Sequence, residues 1–169
     1  MFRVGEYVVY GTQGVCKIER ICRENFSGEM KDYYILTPAD DPKMQIYVPT
    51  DAPLLTEQMR ALLSAEELMS TLRMGIKEGV LEWVSDPRGR NEQYRRILQE
   101  GDRCQLFRLL RTLYQRREEQ AAVGRKLYAA DEQIFERAQR LLHGEIAVIL
   151  NIHPDEVSAY IGARLGVES

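Results

Sequence analysis

The residues best suited to chemistry in this sequence are one tryptophan and the arginines that follow it. Trp83 is the sole tryptophan, and Arg88, Arg90, Arg95 and Arg96 come soon after it. An aromatic ring can insert at a base step, and arginines beside it can bind phosphates and so offset the cost of unstacking the bases. These residues therefore predict a contact with nucleic acid. Nothing nearby resembles a helix that reads base edges, so we expect no sequence-specific readout.

The same residues also have a purely structural interpretation. Trp83 could pack between domains or beneath helices, and charges on one side of an amphipathic helix often form only a solvated face. The polar residues that follow Trp83, among them Ser85 and Asp86, favour an exposed ring. Of the arginines, Arg88 and Arg90 are the strongest candidates for contacts with the phosphate backbone, because they are nearest to Trp83 in sequence.

Residues that could support catalysis or bind a metal are few and scattered. Cys16 and Cys22 could share one face of a strand, but with Cys104 they form an odd number without metal-binding spacing, and we interpret all three as small buried hydrophobic residues. His143 and His153 lie too far apart in sequence to form a local ligand pair. The sequence contains no phosphate-binding glycine loop and no nucleophile elbow. We therefore expect no enzymatic activity, cofactor, metal or small-molecule substrate.

Charge is distributed unevenly along the chain. The net charge is −3, which argues against a generally basic surface. The segment from Val84 to Lys126 nevertheless contains eleven basic and six acidic residues, whereas the first sixty residues contain seven basic and nine acidic ones. The excess of positive charge thus follows Trp83. The longest aliphatic run, Ile146 to Leu150, is too short for a membrane span and the N-terminus does not resemble a secretory signal, so we expect a cytoplasmic protein without membrane contact.

The first fifty residues have the pattern of short strands separated by turns. Strands are predicted at Tyr7–Tyr10, Val15–Cys22, Asp32–Leu36 and Met44–Val48. The alternation of the second strand is imperfect, so its buried face is not determined. Closely spaced strands with polar turns predict a small, strongly bent antiparallel sheet or a partial barrel.

After this region the apolar spacing becomes helical. Helices are predicted to begin near Ser64, Asp86, Asp102, Asp131 and Pro154. In the first, Ser64 and Glu67 form a predicted capping box, and its apolar stripe ends near Gly75. The sequence as a whole predicts an α+β protein, with a small antiparallel β domain over residues 1–52 and an all-α domain of about five helices over residues 57–169.

Several motifs resemble those of the CarD/CdnL family, in the order that the family has them. The opening resembles the family's hydrophobic-x-x-Gly-Asp/Glu-x-Val-Val-Tyr start, later strands are similar, and Trp83 precedes a basic helix as in relatives. The segments that carry the resemblance are Phe2–Tyr10, Lys31–Leu36, Ile46–Pro49 and Arg137–Ala147. Each motif alone is weak, but together they cover roughly residues 1–150 in collinear order.

The resemblance implies a concrete function. In this family a Tudor-like N-terminal domain docks on the β subunit of RNA polymerase, which implies that Tyr47, Val48 and Pro49 contact the polymerase. The helical domain contacts promoter DNA at the upstream edge of the transcription bubble, where a tryptophan matching Trp83 helps to keep the bubble open. The resemblance implies no catalysed reaction, and we expect a monomer.

This sequence departs from the family's pattern in three places, one of which is the segment Val84 to Asn91, longer than in actinobacterial relatives. One alternative function also remains open. Tyr47 stands where relatives carry a basic residue, and Asp131-Glu132-Gln133 stands where many relatives have a basic group. The β domain also resembles the polymerase-interacting module of the transcription-repair coupling factor. The alternative is therefore an adaptor that docks on RNA polymerase without any role in DNA binding.

Overall fold

A computed structural model describes residues 1–167 of the 169-residue chain. Strands predominate in the first third of the chain and helices in the rest, which confirms the predicted α+β class. The chain divides after Leu62 into two compact units, which we call the N-terminal unit and the C-terminal unit. The predicted end of the helical domain, at residue 169, lies outside the described residues.

The N-terminal unit is built on one five-stranded antiparallel sheet. Its strands are β1 Tyr7–Tyr10, β2 Val15–Glu24, β3 Lys31–Pro38, β4 Ile46–Pro49 and β5 Met59–Ala61, with a single-turn helix, α1 Pro53–Thr56, before the last strand. The order in the sheet is β4-β3-β2-β1-β5, so β4 and β5 form its edges. Met59 of β5 pairs with Tyr10 of β1, and this pairing carries the unit beyond its predicted limit at residue 52.

The second strand, β2, is buried in its first half and has no buried residue beyond Ile18. Its pairing with β3 shifts register between Ile18 and Arg20, which places a β-bulge at Glu19. Before the bulge Cys16 and Ile18 are completely buried, whereas Ile21 beyond it is 42% exposed. The bulge explains why simple alternation along this segment does not indicate one buried face.

The core of the N-terminal unit draws on every strand of the sheet. Its buried members are Val8, Cys16, Ile18, Tyr34, Leu36, Val48 and Met59. Val8 lies opposite Cys16, Ile18 opposite Leu36, and Tyr34 opposite Val48, so these side chains share one face. Strands this short are stable because each buries apolar surface against its neighbours.

The C-terminal unit consists of helices whose starts are fixed by caps. They are α2 Ala65–Glu78, α3 Pro87–Glu100, α4 Arg103–Ala122, α5 Ala129–Leu150 and α6 Val157–Leu165, with a 3₁₀ turn, Pro154–Glu156, before the last. The predicted capping box is confirmed, because Glu67 N–H donates to Ser64 Oγ at 3.1 Å and Ser64 N–H donates to a Glu67 oxygen at 2.9 Å. Asp86 and Asp102 cap α3 and α4 by accepting hydrogen bonds from first-turn amides, as predicted.

Gly75 lies inside α2 and does not end it. The helix continues to Glu78 and stops at Gly79, whose φ of 80° favours glycine. Gly75 is buried, and a Cβ atom at this position would lie 2.9 Å from the Phe107 ring of α4. The apolar stripe of α2 was predicted to end near Gly75, and this buried glycine serves the close approach of α2 and α4.

The fourth helix, α4, lies at the centre of the C-terminal core. Leu106, Phe107, Leu109, Leu110 and Leu113 of this helix are buried in one cluster with residues of α2, α3, α5 and α6. Val157 and Ile161 of α6 are completely buried in the same cluster. Within residues 1–167, no helix is both long and apolar enough to cross a membrane.

Candidate functional site

Trp83 lies in the segment of residues 79–86 that connects α2 to α3. Hydrogen bonds from neighbouring helices fix this segment. Arg108 of α4 donates to the carbonyl oxygen of Gly79 at 2.7 Å, and the Leu81 N–H donates to Thr112 Oγ1, also of α4, at 2.8 Å. The segment has no regular secondary structure, but it is anchored at both ends, because Asp86 at its C-terminal end caps α3.

The Trp83 ring is half-buried and lies against two guanidinium groups. Its inner part packs on the C-terminal core. The guanidinium carbon of Arg90 lies 4.3 Å from the ring centroid, and that of Arg116 lies 4.7 Å from it. Cations this close to an indole ring are attracted by its quadrupole, with a gain of about 0.5–2 kcal/mol that is larger where water is excluded.

Arg90 is buried and forms a two-pronged ion pair. Its side chain is 5% exposed, Nε donates to one Asp131 oxygen at 2.9 Å, and Nη2 donates to the other at 2.7 Å. Nη1 donates to the backbone oxygen of Val84 at 2.9 Å and, at 3.4 Å, to that of Ser85. The hydrogen bonds to Asp131 raise the pKa of Arg90 above its usual value. Tyr94 lies within this buried cluster, and burial raises its pKa to about 12.

Arg116 is the more accessible of the two arginines at Trp83. It comes from α4, and its side chain is 37% exposed. Its nearest carboxylate oxygen, on Glu119, lies 3.6 Å away in a surface ion pair, which is a weak interaction in water. The side-chain amide of Gln120 also lies within hydrogen-bonding distance of Arg116, so Arg116 has surface partners, whereas the partners of Arg90 are internal.

An open groove of about 400 Å³ runs beside the Trp83 ring. Arg90, Arg116 and Lys126 supply three cations to its lining, Asp131 supplies one carboxylate, and Tyr128 adds a second aromatic ring. Tyr128 is 60% exposed. We call this feature the Trp83 groove. It combines aromatic surface with net positive charge, which is the combination that unpaired nucleic acid requires.

The remaining predicted DNA contacts lie on the surface of α3. Arg88, Arg95 and Arg96 are exposed. Arg88 and Arg95 are seven residues apart, so they lie on one side of the helix two turns from each other. Glu92, which is also exposed, lies between them on the same side and reduces the local positive charge. Arg90 lies on the opposite, buried side with Tyr94.

The predicted polymerase contacts lie on β4, an edge strand of the N-terminal unit. Tyr47 is 38% exposed, Pro49 is half-buried, and Val48 is completely buried in the core. The side chain of Tyr47 joins those of Phe26 and Tyr33 in a cluster of edge-to-face rings, with centroid distances of 5.2 Å to Phe26 and 6.4 Å to Tyr33. Phe26 is 61% exposed, so this cluster presents aromatic surface to solvent.

The backbone of β4 also faces outward at defined residues. Thr50 N–H donates to the Asp32 oxygen at 2.9 Å on the β3 side. In an antiparallel ladder every second residue directs its backbone groups to the partner strand, so Val48 also faces β3 while Tyr47 and Pro49 face outward. Of these two, Tyr47 alone has both an N–H and a carbonyl, because proline lacks the N–H. An incoming strand could therefore pair with the backbone of Tyr47.

Each of the two units matches a domain of known proteins. Residues 2–62 match the domain described as "CarD-like/TRCF RID domain", and residues 67–162 match "CarD, C-terminal domain". The chain belongs to the CarD family. A relative from Bacillus subtilis (strain 168), named "Putative transcription factor YdeB", is 23% identical over 164 residues, which cover 95% of this chain and 99% of the relative. The predicted resemblance is confirmed.

Asp131, which was predicted to depart from the family's basic pattern, binds a buried arginine. Asp131 is 2% exposed and is the carboxylate that neutralises Arg90. The burial of Arg90 could be predicted from helical spacing, because Arg90 lies four residues before Tyr94 and therefore on the buried side of α3. Nothing local indicates that the partner lies 41 residues further on.

Arg116 and Tyr128 are members of the Trp83 groove that sequence reasoning did not select. Arg116 is one of many basic residues on α4, and only its contact with the Trp83 ring distinguishes it. Cys16, Cys22 and Cys104 form no disulfide within residues 1–167, and Cys16 and Cys104 are buried. Among residues 1–167, no group of three or more histidine, cysteine or acidic side chains is arranged to hold a metal ion.

Proposed function

We propose that this CarD-family transcription regulator binds the β subunit of bacterial RNA polymerase and stabilises the promoter open complex. In this proposal the N-terminal unit docks on the polymerase. The C-terminal unit contacts promoter DNA at the upstream edge of the bubble without reading its sequence. The observation that carries the proposal is the Trp83 ring, which is half-buried, anchored and bordered by cations at an open groove.

The energetics favour an action on DNA that polymerase has already opened. Inserting a ring at a paired base step costs a few kcal/mol of unstacking, but a melted junction has lost that stacking already. A half-buried ring loses little further freedom when it contacts a base, since its inner part is held by the core. Weak intrinsic affinity for DNA therefore suffices once the polymerase brings the protein to the bubble.

The arginines divide into contact residues and an internal residue. We propose that Arg88, Arg95 and Arg96, which are exposed on α3, contact phosphates. Arg116 joins them, because it is accessible and borders Trp83. Arg90 was predicted to contact DNA, but it is 4% exposed and has internal partners, so it is not one of the proposed DNA contacts.

On the polymerase side, β4 supports docking by strand addition. Its outward backbone groups at Tyr47 can extend the sheet with a strand of the partner, and the ring of Tyr47 can add apolar contact. Val48 is completely buried, so its side chain supports the strand from within and does not itself touch the partner. The carbonyl oxygen of Pro49 already accepts a long hydrogen bond from the Ala52 N–H at 3.4 Å, so Tyr47 supplies the outward backbone groups in this proposal.

The alternative function is a polymerase-bound adaptor without a role in DNA binding. The contact of the Trp83 ring with Arg90 and Arg116 favours this alternative to some extent, because the ring already has partners within the protein. A Trp83→Ala variant separates the two functions. We expect it to bind the polymerase as wild type does and to shorten the half-life of competitor-challenged open complexes by about tenfold, or roughly 1.4 kcal/mol.

Two results bound the interpretation of this experiment. If wild-type protein binds the β subunit and Trp83→Ala leaves open-complex lifetime unchanged, the adaptor function is correct and the DNA function is wrong. If wild-type protein does not bind the polymerase at all, both are wrong. Tyr160→Ala serves as the control, because it removes a half-buried ring that lies against an arginine, Arg164, outside the Trp83 groove.

A further inference from the structure

The buried ion pair of Arg90 and Asp131 connects the Trp83 segment to two helices at once. Arg90 belongs to α3 and Asp131 to the first turn of α5. The two backbone carbonyls that Arg90 binds, those of Val84 and Ser85, are the ones directly after Trp83. We propose that this pair is the positioning device of Trp83, holding both its backbone and its ring at the groove. The inference rests on the proposed function, because it assigns residues that present the same ring.

The geometry of the guanidinium supports a positioning role. A guanidinium has five N–H donors in a rigid plane. In Arg90 its Nε and Nη2 sides bind the carboxylate, Nη1 binds the two carbonyls, and its central carbon lies 4.3 Å from the Trp83 centroid. One planar group therefore binds the chain directly after Trp83 and also lies against the Trp83 ring. A lysine, with one compact charge, cannot make these contacts together.

Stability alone does not account for such a pair. Desolvation of two charges consumes most of their mutual attraction, and apolar pairs of similar volume often stabilise a fold equally well. The pair instead specifies one arrangement of α3, α5 and the Trp83 segment, because all its hydrogen bonds form only in that arrangement. The same chemistry occurs again in this unit, where Arg103 binds both oxygens of the nearly buried Glu145 at 3.1 and 2.9 Å.

The second ion pair provides a matched control. Glu145 lies fourteen residues beyond Asp131 on α5, which is about 21 Å along the helix axis. Both pairs join α5 to an arginine of an earlier helix, and both carboxylates are buried. Replacing either pair with apolar residues should therefore disturb the unit to a similar degree. Only the replacement of the first pair should change the surroundings of Trp83.

The single tryptophan allows a direct test on the full chain. Arg90→Met/Asp131→Leu removes the pair while keeping the volume filled, and Arg103→Met/Glu145→Leu is the control. Quenching of Trp83 fluorescence by acrylamide, which is neutral and so insensitive to local charge, reports how freely the ring is reached. We expect the quenching constant to rise about twofold in the first variant, because a released segment opens locally, and to stay near wild type in the control.

Further measurements distinguish the placement of Trp83 from the effect of the Arg90 charge and from the proposed function. Arg90→Lys should resemble the first variant, since it keeps the charge and loses the fork, and its full return to wild-type quenching would overturn the inference. An unchanged quenching constant in Arg90→Met/Asp131→Leu, or an equal rise in the control, would also overturn it. In open-complex assays with the polymerase, the first variant should lose stabilisation as Trp83→Ala does. If wild type itself gives no stabilisation there, the proposed function fails while quenching still decides the placement of Trp83.

Discussion

The two units present their candidate contact surfaces by different physical means. In the N-terminal unit the surface is made by topology, because β4 is an edge strand and the backbone of Tyr47 faces outward. In the C-terminal unit the surface is made by side-chain chemistry, because a buried ion pair and a hydroxyl group anchor the segment that carries Trp83. The first arrangement depends on which strand lies at the edge, and the second depends on individual charged atoms.

This difference determines how each surface should respond to substitution. A backbone surface tolerates many side-chain changes as long as the strand forms, and it fails when an outward donor is removed. A surface held by buried charges fails when one partner is neutralised, because the other charge is left without compensation in a region from which water is excluded. The C-terminal unit should therefore be the more sensitive of the two to single substitutions and to pH.

The largest effect is expected from Asp131→Asn. Loss of the carboxylate leaves the buried Arg90 charge unneutralised, so the free energy of unfolding of the C-terminal unit should fall by about 3–5 kcal/mol. Urea unfolding followed by Trp83 fluorescence measures this unit alone, since the sole tryptophan lies in it. Glu132→Gln is the control: its ion pair with Arg117 spans 3.7 Å on the surface and should contribute less than about 1 kcal/mol. Equal effects of the two substitutions would contradict the comparison.

A smaller loss of stability is expected when the pH is lowered, because His143 of α5 is buried. This side chain is 5% exposed, and its Nε2 atom has no hydrogen-bond partner within residues 1–167. Burial lowers the pKa of His143 from 6.5 to about 4, so the unfolded chain takes up the proton more readily than the folded one. Stability is therefore present above pH 6.5 and is lost as pH falls toward 4, by about 2 kcal/mol between pH 7 and pH 5.

The contribution of His143 can be isolated by substitution. His143→Gln should remove this part of the pH dependence, whatever its effect on stability at pH 7. The measurement is the difference between unfolding free energies at pH 7 and pH 5 for wild type and variant. If that difference is the same in both proteins, His143 is protonated in the folded state or other groups dominate the transition, and the prediction is wrong.

The smallest effect is expected at the edge of the N-terminal sheet. Tyr47→Ala and Tyr47→Pro both remove the ring, but only the proline also removes the outward N–H. Because that N–H is not used in the ladder, an edge strand should tolerate proline there. Polymerase binding should be weaker for Tyr47→Pro than for Tyr47→Ala by about tenfold, on the order of 1.4 kcal/mol. Equal binding of the two variants would argue against strand addition, and circular dichroism checks that both remain folded.

Local features of this fold could be predicted from sequence, and non-local ones could not. The caps at Ser64, Asp86 and Asp102 are visible because a capping side chain and the backbone N–H that donates to it lie within one turn. The first four strands are visible from their turns and β-branched residues. The fifth, Met59–Ala61, has three residues and no alternation, and only its pairing with β1, fifty residues earlier, makes it a strand.

The candidate site shows the same limit. Trp83 and the exposed arginines can be found because their types and order suggest nucleic acid. The role of Arg90 depends on Asp131, and residue type alone cannot distinguish an arginine that faces solvent from one that neutralises a distant carboxylate. The interpretation of Asp131 as a mere departure from a basic pattern had the same cause, since its partner lies on another helix.

The two ion pairs on α5 also have a mechanical consequence. They attach this helix near its two ends, at Asp131 and at Glu145. A slide of α5 by one turn would displace both carboxylates by about 5.4 Å and break both attachments together. A force applied to the Trp83 ring is therefore passed through the carbonyls of Val84 and Ser85 to Arg90 and then to a helix that resists sliding. In the proposed complex the unit would act as a stiff support, so strain in the DNA would not be relieved by yielding of the protein.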